Sequence, residues 1–188
     1  MELNTNLRTR ARQNYNRQPA DLATVRGAVS YITGTHAFKV GLNYQWGSRA
    51  SNQFVNQEYL VSTRNGLPAS VTLDASSPFI SKVKADVGLY AQDQWKIRKL
   101  TVNAGLRYDY FEGYVPPQDV PANKWVNASH YDAVKGLPKW NDLSPRVGAA
   151  YDLFGNGRTA IKASLNRYVR GIGGDLVNLV NPVNSRVT

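Results

Sequence analysis

The side chains best equipped for chemistry are few in this sequence and badly spaced for making or breaking bonds. Its two histidines, His36 and His130, lie far apart, neither stands in a His-Glu-x-x-His context, and the chain has no cysteine. A nucleophile with its base, or a metal with its ligands, needs such groups in a recognisable pattern, and none can be traced. Without cysteine there is no disulfide framework and no thiolate metal site. Gly171, Gly173 and Gly174 lie in Arg-Gly-Ile-Gly-Gly-Asp, but no Gly-Lys-Ser/Thr follows to cradle a phosphate. These residues predict a protein that is not an enzyme and uses neither cofactor nor metal. What does recur is a polar side chain at even spacings along one parity: Lys39, Asn43 and Gln45, then Asn103, Arg107 and Asp109, then Arg146 and Asp152, then Lys162. That spacing offers charge and hydrogen bonds along a wall, to water or to a solute, rather than a reaction centre.

The elements that carry these residues are strands. From His36 to Gly47, Phe38, Val40, Leu42, Tyr44 and Trp46 share one parity while Lys39, Gly41, Asn43, Gln45 and Gly47 share the other. Strand side chains alternate between faces, so one face is apolar and the other wet. The same parity returns from Leu100 to Tyr110, where Leu106, Tyr108 and Tyr110 oppose Asn103, Arg107 and Asp109. A helix would need apolar residues three and four apart, which this pattern lacks.

Strands are expected over 22–33, 36–47, 84–97, 100–112, 144–153 and 158–169. Val87, Leu89, Ala91 and Trp95 form the apolar face of the third, interrupted by Asp93, and Tyr151 belongs to that of the fifth. Short turns near Gly34, Arg98-Lys99 and Gly155 alternate with long external loops over 48–83 and 113–143. The first long loop contains Asn65-Gly66, a strong hairpin signal between Phe54 to Thr63 and Ala69 to Asp74. The stretches before Leu22 and after Val169 are expected to be irregular. Roughly ten-residue alternating segments, short turns at one end and long loops at the other describe an antiparallel transmembrane β-barrel segment. Counted from the short-turn end, Phe38, Trp95, Tyr151 and Phe154 lie low and Trp46, Tyr108 and Tyr110 lie high, as two aromatic girdles would.

Composition leaves the solvent open. A chain of 188 residues that is 42% hydrophobic can bury a soluble core. No apolar run approaches the roughly 18 residues of a membrane helix, but a barrel needs none. A mean hydropathy of -0.43 fits either case. The net charge of +10 invites a polyanion. Yet the densest basic group, Arg8, Arg10, Arg12 and Arg17, lacks helix-turn-helix, RNP or zinc-finger spacing, so nucleic acid is not an expected partner. No apolar run follows the first arginines as a secretory signal would require, so an exported barrel would begin upstream.

The stretches Leu89 to Pro117, LYAQDQWKIRKLTVNAGLRYDYFEGYVPP, and Leu143 to Val169, LSPRVGAAYDLFGNGRTAIKASLNRYV, closely resemble the barrel of TonB-dependent outer-membrane receptors, most of all the Oar-like branch. The resemblance rests on Tyr90-Ala91-Gln92-Asp93-Gln94-Trp95 with Gly105-Leu106-Arg107-Tyr108, then Ser144-Pro145-Arg146, and spans most of 22–169. It implies an all-β fold, with about six strands belonging to a 22-stranded barrel of the kind that encloses a plug. It further implies residence in the outer membrane of a Gram-negative-type bacterium and import of a bulky solute. The implied partners are outer-membrane lipid, the remainder of the barrel, the plug, and TonB through an amino-terminal region not recognisable in this sequence. On this resemblance the chain is an internal slice of such a barrel or a truncated frame, expected not to transport by itself.

Two other readings stay open. One is a structural or adhesive outer-membrane barrel without transport. The other is a soluble basic β-sandwich that binds a polyanion, which must explain the bare apolar face from Phe38 to Trp46. The lumen-facing candidates are Lys39, Asn43, Gln45, Asn103, Arg107, Asp109, Arg146, Asp152 and Lys162; they line a solute path, contact a plug, or are hydrated wall residues. A charge ladder of Arg107 and Asp109 with Arg146 and Asp152 on the next strand is one expected arrangement. Tyr114, Trp125, His130, Tyr131 and Trp140 are candidates for a ligand-capturing rim in the second long loop, or for packing that loop on itself.

Overall fold

A computed structural model describes residues 1–9, 14–56, 59–73, 78–169, 171 and 174–183. Arg10, Arg12, Asp74, Gly173 and residues 185–188 lie outside the described residues. In chain order the elements are β1 (Asn14–Arg17), β2 (Ala20–Thr33), β3 (His36–Val55), β4 (Tyr59–Arg64), β5 (Leu67–Leu73), β6 (Phe79–Ile97), β7 (Leu100–Val115), β8 (Gln118–Val120), β9 (Ser129–Tyr131), β10 (Val134–Asp152), β11 (Ala160–Asn166) and α1 (Asp175–Leu179). The main sheet runs β1-β3-β6-β7-β10-β11, with β2 also on β3, and every pairing in it is antiparallel. Its edges are open, at β2 on one side and β11 on the other.

β1 and β2 share one partner because Pro19, which has no N–H, splits what would be a single strand. The Pro19 carbonyl still accepts the Ala50 amide at 2.9 Å, so the two halves keep one line along β3. The stretch before Leu22, expected to be irregular, is therefore partly strand. The extreme amino terminus is also tied down: the Glu2 carboxylate accepts the Thr63 hydroxyl at 2.8 Å and the amides of Asn65 and Gly66 at 3.0 and 3.2 Å. It thereby seals the β4–β5 hairpin, whose Asn65-Gly66 turn takes positive φ at both residues.

The alternating faces lie where the parity puts them. Exposure is inverted relative to a soluble sheet. Along β3, Phe38, Val40, Leu42 and Trp46 are exposed while Lys39, Asn43 and Gln45 are half-buried. Leu106 on β7 is exposed, whereas Arg107 and Asp109 beside it are half-buried. A sheet that leaves its greasy face bare is built for hydrocarbon rather than water.

The strands run past their expected ends. β3 continues to Val55, β6 begins at Phe79 and β10 at Val134, so much of 48–83 and 113–143 is strand rather than loop. The reason is visible on the apolar face above Tyr110. There the Lys84 ammonium sits 2.9 Å from Glu112, and Lys139 lies over the Tyr110 ring. Charge replaces grease at this level, so sequence alternation stops although backbone pairing does not. From Val102 up to Tyr110, β7 matches the roughly 9–11 residues a tilted strand needs to cross the apolar layer. The rest of the long strands stands clear of it. Register shifts at Lys84 and between Lys135 and Lys139 fall in this upper region.

The tail after Val169, expected to be glycine-rich loop, instead contributes α1. This helix folds back over the polar face at the long-loop end, where Val177 joins Phe111 and Val115 in the buried cluster, flanked by Val83, Val134 and Trp140. Asn181, fully buried, donates to the Ile80 carbonyl at 2.9 Å and accepts from the Gln118 amide at 3.2 Å. Gly113 lies beneath the helix because any Cβ there would overlap Val177.

At the opposite end the β10–β11 turn is organised by one carboxylate. Asp152 accepts the Gly155 and Gly157 amides at 2.9 and 2.8 Å, and these bonds, that of Gly157 foremost, hold its pKa below the usual carboxylate value. The contribution is present at neutral pH and lost as pH falls through the lowered folded-state pKa. In Asp152→Ala the Gly155 and Gly157 amides should exchange hydrogen faster than in the unmodified chain, with protection in the centre of β7 unchanged.

Candidate functional site

The polar face of the sheet holds the groups able to meet a solute. In its lower half Lys39 faces Ser30 on β2 and Gln92 on β6, Gln94 faces Asn103, and Gly105 lies between Gln92 and Arg146. Lys39, Gln92, Gln94, Asn103, Arg146, Ser164 and Asn166 surround a cleft of 470 Å³. Arg146 is stacked 4.9 Å over the Tyr168 ring, and Lys162 lies on the same face opposite Ala150.

The upper half is built around an ion pair laid flat on the sheet. The Arg107 guanidinium grips Asp109 through Nη2 at 2.7 Å and through Nε at 2.8 and 2.9 Å. It can do so because Gly88 on the next strand is buried and has no side chain; a Cβ there would overlap the guanidinium. Gly41 makes the same room for the Tyr90 ring, which register sets opposite Arg107. On the far side Arg26 donates to Asn43 at 2.8 Å. Asn43, Asp86, Arg107, Asp109, Trp140, Ser144 and Arg146 line a second cleft of 410 Å³, closed on one side by Tyr168, Val169 and Gly171. Arg167 anchors that returning chain with bonds to the Leu143 carbonyl at 2.5 Å and to Asp142 at 3.1 Å.

The expected charge ladder does not form. Register sets Arg107 opposite Ser144, Asp109 opposite Asp142 and Arg146 opposite Gly105, so Arg107 closes on Asp109 within its own strand. Asp152 spends its carboxylate on the turn, and Arg146 stacks on Tyr168. Asp86 and Tyr90, the polar-parity partners on β6, were legible in the alternation around Val87 and Leu89. Arg167 and Asn181 were not, because only the returning tail brings them to the sheet.

The five candidate rim residues are not one cluster. Tyr114 and Trp140 belong to β7 and β10 rather than to a loop, and they point to opposite faces: Tyr114 lies under Lys82, while Trp140 stacks on Phe111 at 4.5 Å on the polar side. Trp125 carries Lys124 over its ring, and His130 and Tyr131 sit on β9. The aromatic girdle candidates lie on the apolar face, Phe38, Trp95 and Tyr151 towards the short turns and Tyr44, Trp46, Tyr108 and Tyr110 towards the long loops; Tyr44 and Trp46 stack at 4.8 Å.

His130 is clasped by two carboxylates, with Nδ1 2.6 Å from Asp119 and Nε2 3.6 Å from Asp132. The Asp119 hydrogen bond, then its charge, raises the imidazole pKa above the ordinary value. Because the folded value is raised, the contribution to the β8–β9 hairpin is present at low pH and lost as pH rises through the folded pKa. By NMR, His130 should titrate above an ordinary imidazole, and Asp119→Asn should return it towards that value.

A wall that is polar and half-enclosed on one side and bare hydrocarbon on the other defines a class, the outer-membrane β-barrel. The chain belongs to the outer membrane beta barrel domain family, whose model matches residues 2–188, and its place is the bacterial outer membrane. It is similar to the TonB-dependent transporter Oar of Myxococcus xanthus, with 30% identity over 103 residues, covering 54% of this chain. The chain spans 8% of that protein's length. No solved structure matches it.

Proposed function

We propose that these strands form part of the barrel of an Oar-like TonB-dependent importer, whose intact form admits a solute too bulky for a porin. The observation that carries this reading is the likeness to TonB-dependent transporter Oar, joined to a polar face that already holds two clefts. On this reading the strands of the main sheet belong to a barrel of about 22, the size that encloses a plug. Both open edges then pair with further strands of that barrel, because unpaired backbone cannot face lipid. The polar face looks inward on the plug and the solute path, with Lys39, Asn103, Arg146 and Lys162 deeper and Asn43, Gln45, Arg107 and Asp109 nearer the outside. The wall binds and positions; it is not an enzyme and needs no cofactor of its own.

The outer extensions of β3, β6, β7 and β10 favour one further reading, an adhesive barrel, since each of these strands continues beyond the membrane. The two separate in one experiment on the intact protein. A purified periplasmic domain of TonB should bind the full-length barrel protein in detergent. No binding, with loss of surface attachment but normal growth in cells lacking the protein, would replace import with adhesion.

A further inference from the structure

One ionisable pair lies on the face that should be purely apolar. His36 opens β3 on the lipid side, and its ring is stacked between Phe38, at 5.2 Å and 4°, and Trp95, at 5.1 Å and 15°. Its Nδ1 is 2.7 Å from Asp93 Oδ2, which explains the acid that interrupts the apolar parity of β6. Asp93 is otherwise surrounded in register by Phe38 and Ala104, and its Oδ1 has no hydrogen-bond partner among the described residues. The carboxylate engages the imidazole through Nδ1, so Nε2 is the ring nitrogen left for a ligand, on a side chain about one-third exposed.

Two features around this pair point to the same kind of ligand. The short turns below it carry Arg98, Lys99 and Arg158, all exposed and none in an ion pair among the described residues. The nearby acid, Asp152, has its oxygens on the turn amides and lies within the field of Lys99, so it offsets one of these charges and the rim stays net positive. The short-turn rim is therefore a cationic collar. Above the pair, on the same face, a shallow apolar groove of 710 Å³ runs over Val29, Val40, Leu42, Leu89, Ala91 and Leu106. Anionic head below and hydrocarbon chain above is the layout of a phospholipid.

We propose that this edge of the barrel holds a phospholipid in the leaflet at the short-turn end. Its phosphate accepts from His36 Nε2, the collar supplies further charge, and an acyl chain lies in the groove. Asp93 acts as a positioning residue: its carboxylate engages Nδ1 at 2.7 Å and turns the imidazole so that Nε2 meets the phosphate. The aromatic sandwich holds the ring upright at the interface, where Trp95 belongs in any case. The inference rests on the barrel's place in the membrane and is independent of import.

The test uses the intact protein, labelled with ¹⁵N-histidine and reconstituted in bilayers of phosphatidylglycerol or of an uncharged galactolipid without phosphate. Solid-state NMR should detect a ³¹P–¹⁵N contact at His36 Nε2 in phosphatidylglycerol, and native mass spectrometry should find that lipid retained over galactolipid. His36→Phe keeps the stacked ring without its nitrogens and should reduce that preference roughly five- to tenfold. Asp93→Asn should weaken the contact while leaving the stack. No ³¹P contact in the unmodified protein overturns the proposal, and that measurement decides the matter if a variant fails to insert. An unchanged preference in a folded His36→Phe barrel also overturns it. Displacement of the lipid by millimolar inorganic phosphate would make this a free-anion site instead.

Discussion

In hydrocarbon no water is available to pair with backbone N–H and C=O groups, and each one left unpaired costs several kcal/mol. The rest of this structure follows from that constraint. The antiparallel ladder from β2 to β10 is continuous across the apolar band, and its register shifts are displaced outward, to Lys84 and to Lys135/Lys139; β11 pairs with β10 only from Asp152 to Arg146, and beyond that the Pro145 carbonyl accepts the Arg167 amide at 3.0 Å. The bulges fall where water can reach the backbone, and the register of β2 to β10 is kept regular across the band, Pro145 included, which pairs in register with Leu106. The same constraint makes the edges at β2 and β11 positions for further strands rather than ends.

Because the backbone is fully engaged, selectivity between lipid and water is left to side chains, and they divide by parity. The polar face gathers its charges into local pairs, Arg107 with Asp109, Arg26 with Asn43, Arg167 with Asp142. Pairing along one strand needs space on its neighbour, and Gly88 and Gly41 provide it. Glycine weakens a strand in isolation. Here it lets the long polar side chains of β6 and β7 lie flat, which lowers the wall into two open clefts rather than filling them.

Beyond the membrane the logic changes. The strands continue in water, charged residues appear on the formerly greasy face, and the packing that would elsewhere form a core is displaced to the polar side beneath α1. Phe111, Val115 and Val177 make a small apolar knot at the outer mouth, tied by Asn181 to the start of β6 and to β8. The tail that forms it also brings Tyr168 and Arg167 over the charged cleft. The outer end of the wall is thus a folded layer that overlaps the polar face.

Side-chain parity, short-turn positions and the sign of each face were written in the sequence, since a strand reads out its two faces residue by residue. Phe38 to Trp46 and Leu100 to Tyr110 were enough to define strands with one apolar and one polar face, and Asn65-Gly66 to place a hairpin. Strand length was not legible, because alternation is imposed by lipid and vanishes at Glu112 and Lys84, while the ladder that defines a strand continues. Pairing among charges was not legible either: period two places Arg107, Asp109, Arg146 and Asp152 on one face, but only register decides that Arg107 meets Ser144 and that Arg146 meets Gly105. The contacts of Asn181, Val177 and Arg167, and the partner that excuses Asp93 on an apolar face, depend on segments far apart in the chain. Those were decided by the tertiary structure, because local periodicity carries no information about which distant strand or helix will arrive.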